Sequence, residues 1–360
     1  MPCCEYMPED SDGATTAEHF DQWWNQELDQ LRSKMINNQS DPACGYCRSK
    51  EHNSNLSNLR KHTNKKYNDN IIPIINEYQQ VGTTQGPRSV EIRFGNYCNL
   101  KCIMCGPYAS SSIYQEYLEN RDLFNGKQLF WDADNTTRWW EKSNSLEQLK
   151  KVTDQAESLM FTGGEPMMVP EVIDFLNRAN SNCEINFVTN LTRLSPRMLD
   201  ALKKFRRVNI MVSLEGVGSH NDYIRYGSVW KEIDQSIEKL KALGNIHLSI
   251  NTVLQHTSVF SLPPLIEYAT SQNISINYGQ VYSGSVDGSD LLSINSVPPA
   301  QIKQFQDYVD SQPHPAIKKW LQTYEFDPAK HARFLEYINL LDQIRGVNFA
   351  KTFGVDYNLV

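Results

Sequence analysis

Three closely spaced cysteines are the residues of this chain best placed to do chemistry. Cys98, Cys102 and Cys105 have the spacing C-x-x-x-C-x-x-C in a chain of 360 residues. Thiolates bind zinc and iron–sulfur clusters, and a cubane [4Fe–4S] cluster normally takes four of them, one for each iron. Three ligands leave one iron with an open coordination position, and open positions are where metal centres react with other molecules. The spacing therefore predicts a reactive iron–sulfur centre.

A second motif lies downstream, in the segment Phe161-Thr-Gly-Gly-Glu-Pro166. Together with the three cysteines, this segment resembles the motifs of the radical S-adenosylmethionine (radical SAM) enzymes, in order as well as in separation. The resemblance covers residues 88–285. It implies that Cys98, Cys102 and Cys105 hold one [4Fe–4S] cluster, whose open iron binds the amino nitrogen and carboxylate oxygen of S-adenosylmethionine.

The resemblance also implies roles for residues near these two motifs. Gly163 and Gly164 have no side chain, so they would let the backbone approach the methionine part of the cofactor closely. Glu165 or neighbouring backbone carbonyls would accept a hydrogen bond from the amino group of the cofactor. Met104 precedes the last cysteine, where the family usually has a bulky apolar residue near the adenine, and a soft thioether can fill that place.

Further along, the segment Ser213-Leu-Glu215-Gly with Arg225 is similar to the matching stretch of sulfatase-maturing and peptide-modifying radical SAM enzymes. By that resemblance Ser213 binds the ribose, Glu215 belongs to the same cofactor site, and Arg225 binds the cofactor carboxylate. A guanidinium suits that role because its planar fork binds a carboxylate with two parallel hydrogen bonds. Asn190 stands where the family often has Thr-Asn-Gly, and here Leu191 replaces the glycine, which changes the expected loop geometry.

Four other cysteines form two pairs near the N-terminus, Cys3 with Cys4 and Cys44 with Cys47. Four thiolates could bind a second iron–sulfur cluster or zinc. Their layout resembles the auxiliary-cluster regions called SPASM or twitch domains, although here the cysteines precede the barrel. We interpret the two pairs as an auxiliary metal site, with a cluster favoured over zinc and a disulfide least favoured.

Charge and hydropathy exclude several other classes of function. The formal net charge is −7, which argues against a broad face for nucleic acid. No apolar run reaches the length of a membrane span, and no secretory signal pattern opens the sequence, so we expect a cytoplasmic protein without a membrane partner. Thiols stay reduced in the cytoplasm, and this favours metal ligation over disulfides.

From residue 89 onward, short strand patterns alternate with amphipathic helices. This alternation predicts an α/β fold of parallel βαβ units with right-handed crossovers. Six units predict an incomplete (β/α)6 barrel, which is also the fold that the resemblance implies. Active-site residues of such barrels collect at the carboxyl ends of the strands, and the motifs all fall there. The predicted strands are 90–94, 158–162, 185–189, 208–213, 247–253 and 274–278.

We predict three regions: a cysteine-rich segment over 1–87, a radical SAM core over 88–285 and C-terminal helices over 286–360. The expected activity is reductive cleavage of S-adenosylmethionine and removal of a hydrogen atom from a peptide or protein substrate. A flavodoxin or ferredoxin is the expected electron donor. The alternative is a non-catalytic binding module stabilised by zinc or an iron–sulfur cluster. Such a module needs four ligands at each site, and the cysteine triplet has no obvious fourth thiol.

Overall fold

The computed structural model describes residues 20–45, 65, 71–82, 86–124, 145–281, 290–311 and 314–355. These residues form two compact units. The first unit takes the described residues up to Arg88 together with 145–156, and the second takes 89–124 and 157–355. The motifs around Cys98, Gly163 and Arg225 all belong to the second unit.

Six strands of the second unit form one parallel sheet, in the order β1-β3-β4-β5-β7-β8. The two remaining strands, β2 and β6, form an antiparallel pair. Within the part of the chain that the structure describes, β1 and β8 are the two edges of the large sheet, so the sheet does not close into a ring. The predicted fold class is therefore confirmed, with observed strands within two residues of the predicted ones. The strands are β1 (Ser89–Arg93), β2 (Lys101–Cys102), β3 (Ser158–Thr162), β4 (Glu184–Thr189), β5 (Val208–Ser213), β6 (Arg225–Tyr226), β7 (Ile246–Leu254) and β8 (Ser275–Gln280).

Helices follow the strands as the βαβ pattern requires. Several begin at side chains that suit a helix start: Ser195 accepts from the Met198 amide, and Asp327 accepts from the Ala329 and Lys330 amides. A proline occupies the first helical position after both caps. The helices are α1 (Phe20–Gln22), α2 (Leu28–Ile36), α3 (Ile71–Val81), α4 (Ser111–Glu119), α5 (Ser145–Thr153), α6 (Glu171–Arg178), α7 (Pro196–Leu202), α8 (Ser219–Ile224), α9 (Trp230–Lys241), α10 (Ser258–Gln272), α11 (Pro299–Asp310), α12 (Pro315–Leu321), α13 (Pro328–Arg345) and α14 (Phe349–Phe353).

Aromatic side chains from neighbouring strands fill the core of the second unit. Phe94, Phe161 and Phe187 follow or lie on β1, β3 and β4, and their rings stack at centroid distances of 6.4 and 5.0 Å. All three side chains are fully buried, and Phe175 of α6 packs against the first two. Burial of large aromatic surfaces is a major stabilising contribution. The core therefore holds the carboxyl ends of three strands in one place, which is where the motif residues begin.

A second apolar cluster joins the C-terminal helices to the cysteine segment. Ile103, between two of the cysteines, packs in the same buried cluster as Ile224, Phe334, Ile338 and Phe349. The backbone of Ile103 is fixed as well, since its amide donates to the Ile224 carbonyl at 2.9 Å. Its carbonyl accepts from the Tyr337 hydroxyl of α13, also at 2.9 Å. The C-terminal helices thus support the outside of the cysteine segment.

The first unit contains helices α1, α2, α3 and α5. Its start is aromatic, with the Phe20 and Trp24 rings stacked 5.7 Å apart and the Arg32 guanidinium 4.3 Å from the Trp24 ring centroid. The Tyr78 hydroxyl of α3 donates to Asp29 of α2. In neither unit do the described residues include a helix that is both long and apolar enough to cross a bilayer.

Candidate active site

The segment between β1 and α4 carries the three cysteines. Cys98 follows β1, Cys102 lies in β2 opposite Arg225 of β6, and the Cys105 amide donates to the Cys102 carbonyl at 3.1 Å. The first turn of α4 holds this segment. Ser110 donates to the Leu100 carbonyl at 2.6 Å, and Ser112 donates to the Cys98 carbonyl at 2.8 Å. These hydrogen bonds therefore fix the backbone that carries the cysteines.

Hydrogen-bond donors surround two of the three sulfurs. Cys98 Sγ accepts from the Leu100 amide at 3.5 Å and from Asn190 Nδ2 at 3.8 Å. Cys102 Sγ accepts from Arg225 Nη1 at 3.7 Å. Donors of this kind tune the reduction potential of iron–sulfur clusters and fix the orientation of metal ligands.

The surroundings of the cysteines make two of the three thiols difficult to ionise. Burial raises the pKa of Cys98 to about 12. The hydrogen bond between the Cys102 and Cys105 thiols lowers the pKa of Cys102 to about 7 and raises the pKa of Cys105. Two of the three thiols therefore need a strong cation to ionise, and bound metal supplies it because a coordinating thiol is deprotonated outright. The donor set fits a thiolate-bound metal centre.

The number of thiols in this segment fits a cubane cluster with one open iron. A cubane cluster has four irons, and each iron takes its own ligand. Three thiolates from one segment would therefore hold three irons of the predicted [4Fe–4S] cluster and leave the fourth iron open.

Gly163 and Gly164 allow a close approach between two backbone segments. A Cβ atom at Gly164 would lie 2.3 Å from the Tyr97 carbonyl oxygen, and one at Gly163, where φ is +115°, would lie 2.8 Å from the Phe94 amide nitrogen. The Gly164 amide donates to the Gly95 carbonyl at 2.8 Å. Glycine is thus required here to join the loop after β3 to the segment before Cys98. The predicted contact with methionine stays a prediction.

Glu165 is fully buried and connects the ends of β3 and β4. One carboxylate oxygen accepts from Thr189 Oγ1 at 2.6 Å and from the Met167 amide at 3.0 Å. The other accepts from the Asn190 amide at 2.6 Å. Burial raises the pKa of Glu165 to about 6 in spite of these three donors. The carboxylate therefore organises the loops around the predicted cofactor position, and the oxygen that accepts only from the Asn190 amide keeps a lone pair for a further donor.

The loop after β4 keeps a glycine-like backbone although it has no glycine. Leu191 has a φ of +57°, and its side chain is fully buried. The left-handed conformation costs an L-residue about 1–2 kcal/mol, whereas burying a leucine stabilises by about 1.5–3 kcal/mol. Burial thus offsets the strain. This geometry places Asn190 Nδ2 on Cys98 Sγ and 3.2 Å from Asn99 Oδ1.

Arg225 and Glu215 form a buried ion pair. Arg225 Nη2 lies 2.7 Å from Glu215 Oε1. Glu215 Oε2 accepts from Thr252 Oγ1 and from the Val253 amide, both at 2.9 Å. The remaining donor of the guanidinium, Nε, is buried without a partner in the described part of the protein. An unpaired buried N–H is costly, so this atom fits a site that a ligand acceptor completes.

The other predicted residues lie as follows. Ser213 ends β5, opposite Asn251 of β7, and only 9% of its surface is exposed. Met104 is partly buried against the apolar cluster of the C-terminal helices. Cys44 ends a 3-10 turn over Pro42–Cys44 in the first unit. Cys3, Cys4 and Cys47 lie outside the described residues, so the auxiliary site stays a prediction.

Several residues of this site were not predicted from the sequence. Thr189 and Thr252 donate to the two buried carboxylates. Asn99 donates to the Thr192 hydroxyl at 3.0 Å, and that hydroxyl donates to Asn190 Oδ1. Thr189 could have been found, because it ends a predicted strand next to Asn190. Thr252 offered no local signal, since its partner lies 37 residues away.

Part of the chain matches the model of a known protein family. Residues 92–259 match the model of the radical SAM superfamily. The matched stretch contains all three cysteines of the segment, the glycine pair with Glu165, and the Glu215–Arg225 ion pair. The predicted resemblance to the radical SAM superfamily is therefore confirmed over these residues.

The chain is also similar to several solved structures. The chain is similar to Streptococcus suis SuiB bound to S-adenosylmethionine, with 14% identity, a TM-score of 0.44 and coverage of 75% of this chain and 59% of that one. For SuiB bound to its precursor peptide SuiA, the identity is 14% and the TM-score is 0.40, with coverage of 82% of this chain and 58% of that one. For anSMEcpe with bound AdoMet, the identity is 15% and the TM-score is 0.40, with coverage of 63% of this chain and 62% of that one. The chain thus spans about three-fifths of the length of these proteins. No curated protein matches the chain.

Proposed function

We propose that the chain is an enzyme that cleaves S-adenosylmethionine reductively and removes a hydrogen atom from a peptide or protein substrate. The observation that carries this proposal is the set of three cysteines on one fixed segment, with N–H donors on Cys98 and Cys102. The Ser213 to Arg225 segment supports a peptide substrate, because it resembles the matching segment of peptide-modifying enzymes.

Cys98, Cys102 and Cys105 would hold the [4Fe–4S] cluster. When bound, the cluster and S-adenosylmethionine supply a one-electron cleavage and a hydrogen-abstracting radical. The contribution of the chain is positioning and exclusion of water. Asn190 and Arg225 orient two thiolates, and the bonds from the Gly163–Gly164 loop keep the cysteine segment in register with β3.

The cofactor would bind above the carboxyl ends of β3, β4 and β5. In this proposal Glu165 and Arg225 take the amino and carboxylate groups, Ser213 takes the ribose, and Met104 lies near the adenine. The buried Nε atom of Arg225 supports its assignment, because it is a donor that still needs an acceptor. Cys44 and Cys47, with at least one of Cys3 and Cys4, would form a second metal centre, as an iron–sulfur cluster or as zinc.

The test is anaerobic reconstitution followed by an assay for 5′-deoxyadenosine under reducing conditions. The parent should bind iron and sulfide and release 5′-deoxyadenosine from S-adenosylmethionine. A triple Cys→Ala variant at positions 98, 102 and 105 should release none. Cys183→Ala is the matched control, because Cys183 is a buried thiol at the amino end of β4, away from the motifs.

Two results would contradict the proposal. Formation of 5′-deoxyadenosine by the triple variant would remove the three cysteines from the mechanism. A parent that binds metal stably but neither binds nor cleaves S-adenosylmethionine would favour the alternative, a metal-stabilised binding module.

A further inference from the structure

An apolar groove with two cationic side chains lies at the carboxyl ends of β3 and β4. It has a volume of about 530 Å³, and we call it the rim groove. One part of its lining is Met167–Pro170 with Ile173, which follow the Gly163–Glu165 loop. The other part is Thr192–Ser195 with Arg197, which follow Asn190. The rim groove therefore begins where two of the predicted cofactor loops end.

A short chain of hydrogen bonds connects the rim groove with the first cysteine. Thr192 lines the groove, and its hydroxyl donates to Asn190 Oδ1 at 2.7 Å. Asn190 Nδ2 in turn donates to Cys98 Sγ at 3.8 Å. Thr192 Oγ1 also accepts from Asn99, the residue that directly follows Cys98, at 3.0 Å. Two hydrogen bonds thus separate the groove lining from a thiol that is a predicted cluster ligand.

The charged side chains that line the rim groove are all positive. Arg193 and Arg197 are both exposed, and no acidic residue is among the residues that line the groove. Neither arginine forms an ion pair with any residue that the structure describes, and the nearby Asp200 is already 2.7 Å from Lys203. Unpaired surface cations attract an acidic partner and increase its rate of association. The apolar lining between them offers the partner a surface to bury.

We propose that the rim groove is the docking face for an acidic one-electron carrier protein that reduces the cluster near Cys98. This proposal rests on the proposed function. In the step it describes, the carrier loses one electron and the cluster gains one, and no bond or proton is transferred. Electron transfer slows steeply with distance, so a carrier must dock beside a cluster ligand. The rim groove satisfies this requirement through Thr192 and Asn190.

The test compares a protein reductant with a small one. Reduced flavodoxin is the acidic carrier, and photoreduced 5-deazariboflavin is a small uncharged reductant. Cluster reduction is followed anaerobically by stopped-flow absorbance in the reconstituted parent and in an Arg193→Glu/Arg197→Glu variant. The matched control is Arg206→Glu/Arg207→Glu. It makes the same change of charge at two exposed arginines just before β5, at the opposite end of the sheet.

At low salt, flavodoxin should reduce the cluster of the Arg193→Glu/Arg197→Glu variant at a rate at least about tenfold lower than that of the parent. The difference in rate should shrink at high salt, because ions screen exposed charges. The iron content of this rim-groove variant, its circular dichroism and its reduction by deazariboflavin should match those of the parent. The control variant should behave like the parent with both reductants. An Arg193→Gln/Arg197→Gln variant should have a flavodoxin reduction rate between those of the parent and the Arg193→Glu/Arg197→Glu variant, since it removes charge without reversing it.

Equal flavodoxin rates in the parent and the rim-groove variant would overturn the proposal. So would a variant with normal flavodoxin reduction that binds acidic peptides more weakly, because the groove would then be a substrate site. The proposed function is tested separately: deazariboflavin-driven release of 5′-deoxyadenosine by the parent does not depend on the groove.

Discussion

Arg225 contacts a carboxylate and a sulfur with different nitrogens of one guanidinium. Nη2 binds Glu215, Nη1 points at Cys102, and Nε remains for a ligand. An ammonium is a compact charge and cannot reach three acceptors in this fork geometry. The Arg225 side chain therefore links the predicted cluster to the predicted cofactor site through the planar shape of its guanidinium as well as through its charge.

Arg225→Lys should weaken the binding of S-adenosylmethionine about tenfold or more while the cluster stays bound, because the charge survives but the fork is lost. The measurement is a titration with the cofactor, followed by the spectrum of the reconstituted cluster. Arg207→Lys, at an exposed site, is the control. An affinity equal to that of the parent would assign Arg225 a structural role only.

Leu191 offers a test of backbone strain. Replacing it by alanine removes buried apolar atoms and keeps the left-handed conformation, so Leu191→Ala should destabilise by about 2–5 kcal/mol. Leu191→Gly loses the same packing but relieves a strain of about 1–2 kcal/mol. The glycine variant should therefore be at least as stable as the alanine variant. Denaturant unfolding of both proteins measures the difference, and a clearly more stable alanine variant would show that the backbone at this position is unstrained.

The local signals predicted most of this site. The cysteine triplet, the glycine pair and Glu165 stand in short motifs that can be read without a structure. The sequence also placed Arg225 and Glu215 in the site, but not as an ion pair, because it does not show which side chains face each other. The contact of Asn190 with Cys98 spans 92 residues and depends on the left-handed turn at Leu191. A leucine in the sequence does not predict a left-handed backbone.

The link between β7 and α10 contains a buried histidine. His256 Nδ1 lies 2.7 Å from Ser296 Oγ, and its ring stacks on Phe334 at 3.5 Å. Burial, and then the charge of His331, lower the pKa of His256 well below its usual range. The folded protein therefore holds this imidazole neutral, whereas the unfolded chain protonates it near pH 6.5.

Stability should consequently fall as the pH drops below about 6.5, because the unfolded state then binds the extra proton. The contribution of His256 should be complete above that pH and should fall by up to about 1.4 kcal/mol per pH unit below it. Denaturant unfolding at pH 7.5 and 5.5 measures the slope. A His256→Gln variant should show a smaller loss between the two pH values, and an equal loss in both proteins would assign the slope to other groups.

Helix α13 contacts the cysteine segment through an ion pair as well as through apolar packing. Arg345 Nε and Nη2 lie 3.1 and 2.8 Å from the two oxygens of Glu116 on α4, and Lys101 of β2 lies 3.3 Å from the same carboxylate. The Arg345 and Glu116 side chains are nearly inaccessible to solvent, at 4% and 3% exposure. Removing Arg345 would leave the buried Glu116 carboxylate with the partly exposed Lys101 as its ion-pair partner.

Arg345→Met should therefore destabilise the protein by about 3–5 kcal/mol. A Glu116→Leu/Arg345→Met double variant should recover most of that loss, because it removes both nearly inaccessible charges and leaves only the partly exposed Lys101. Arg333→Met is the matched control on an exposed position of α13 and should change stability by less than about 0.5 kcal/mol. If the double variant is no more stable than the single one, the cost arises from packing instead of charge.

At the scale of the whole molecule, periodicity predicted the parallel sheet well and the tertiary contacts poorly. Strands such as 158–162 and 208–213 coincide with the observed β3 and β5, since short apolar runs between helices are a local signal. The two-residue strands β2 and β6 were not predicted, because a pairing this short has no period. The contacts of the C-terminal helices with Ile103 and Glu116 span more than 200 residues. They were not predicted, because a local sequence pattern does not show which distant side chains meet.

The remaining prediction concerns the cysteines outside the second unit. Cys44 and Cys47 are predicted ligands of a second metal centre, and Cys44 lies in a turn whose start is fixed by Asp41 accepting from the Ala43 amide. A Cys44→Ala/Cys47→Ala variant should lose iron or zinc relative to the parent, while the response of the first cluster to S-adenosylmethionine survives. Metal analysis of the two proteins, with Cys183→Ala as the control, measures the loss. Equal iron and zinc in the double variant and the parent would exclude these cysteines as metal ligands.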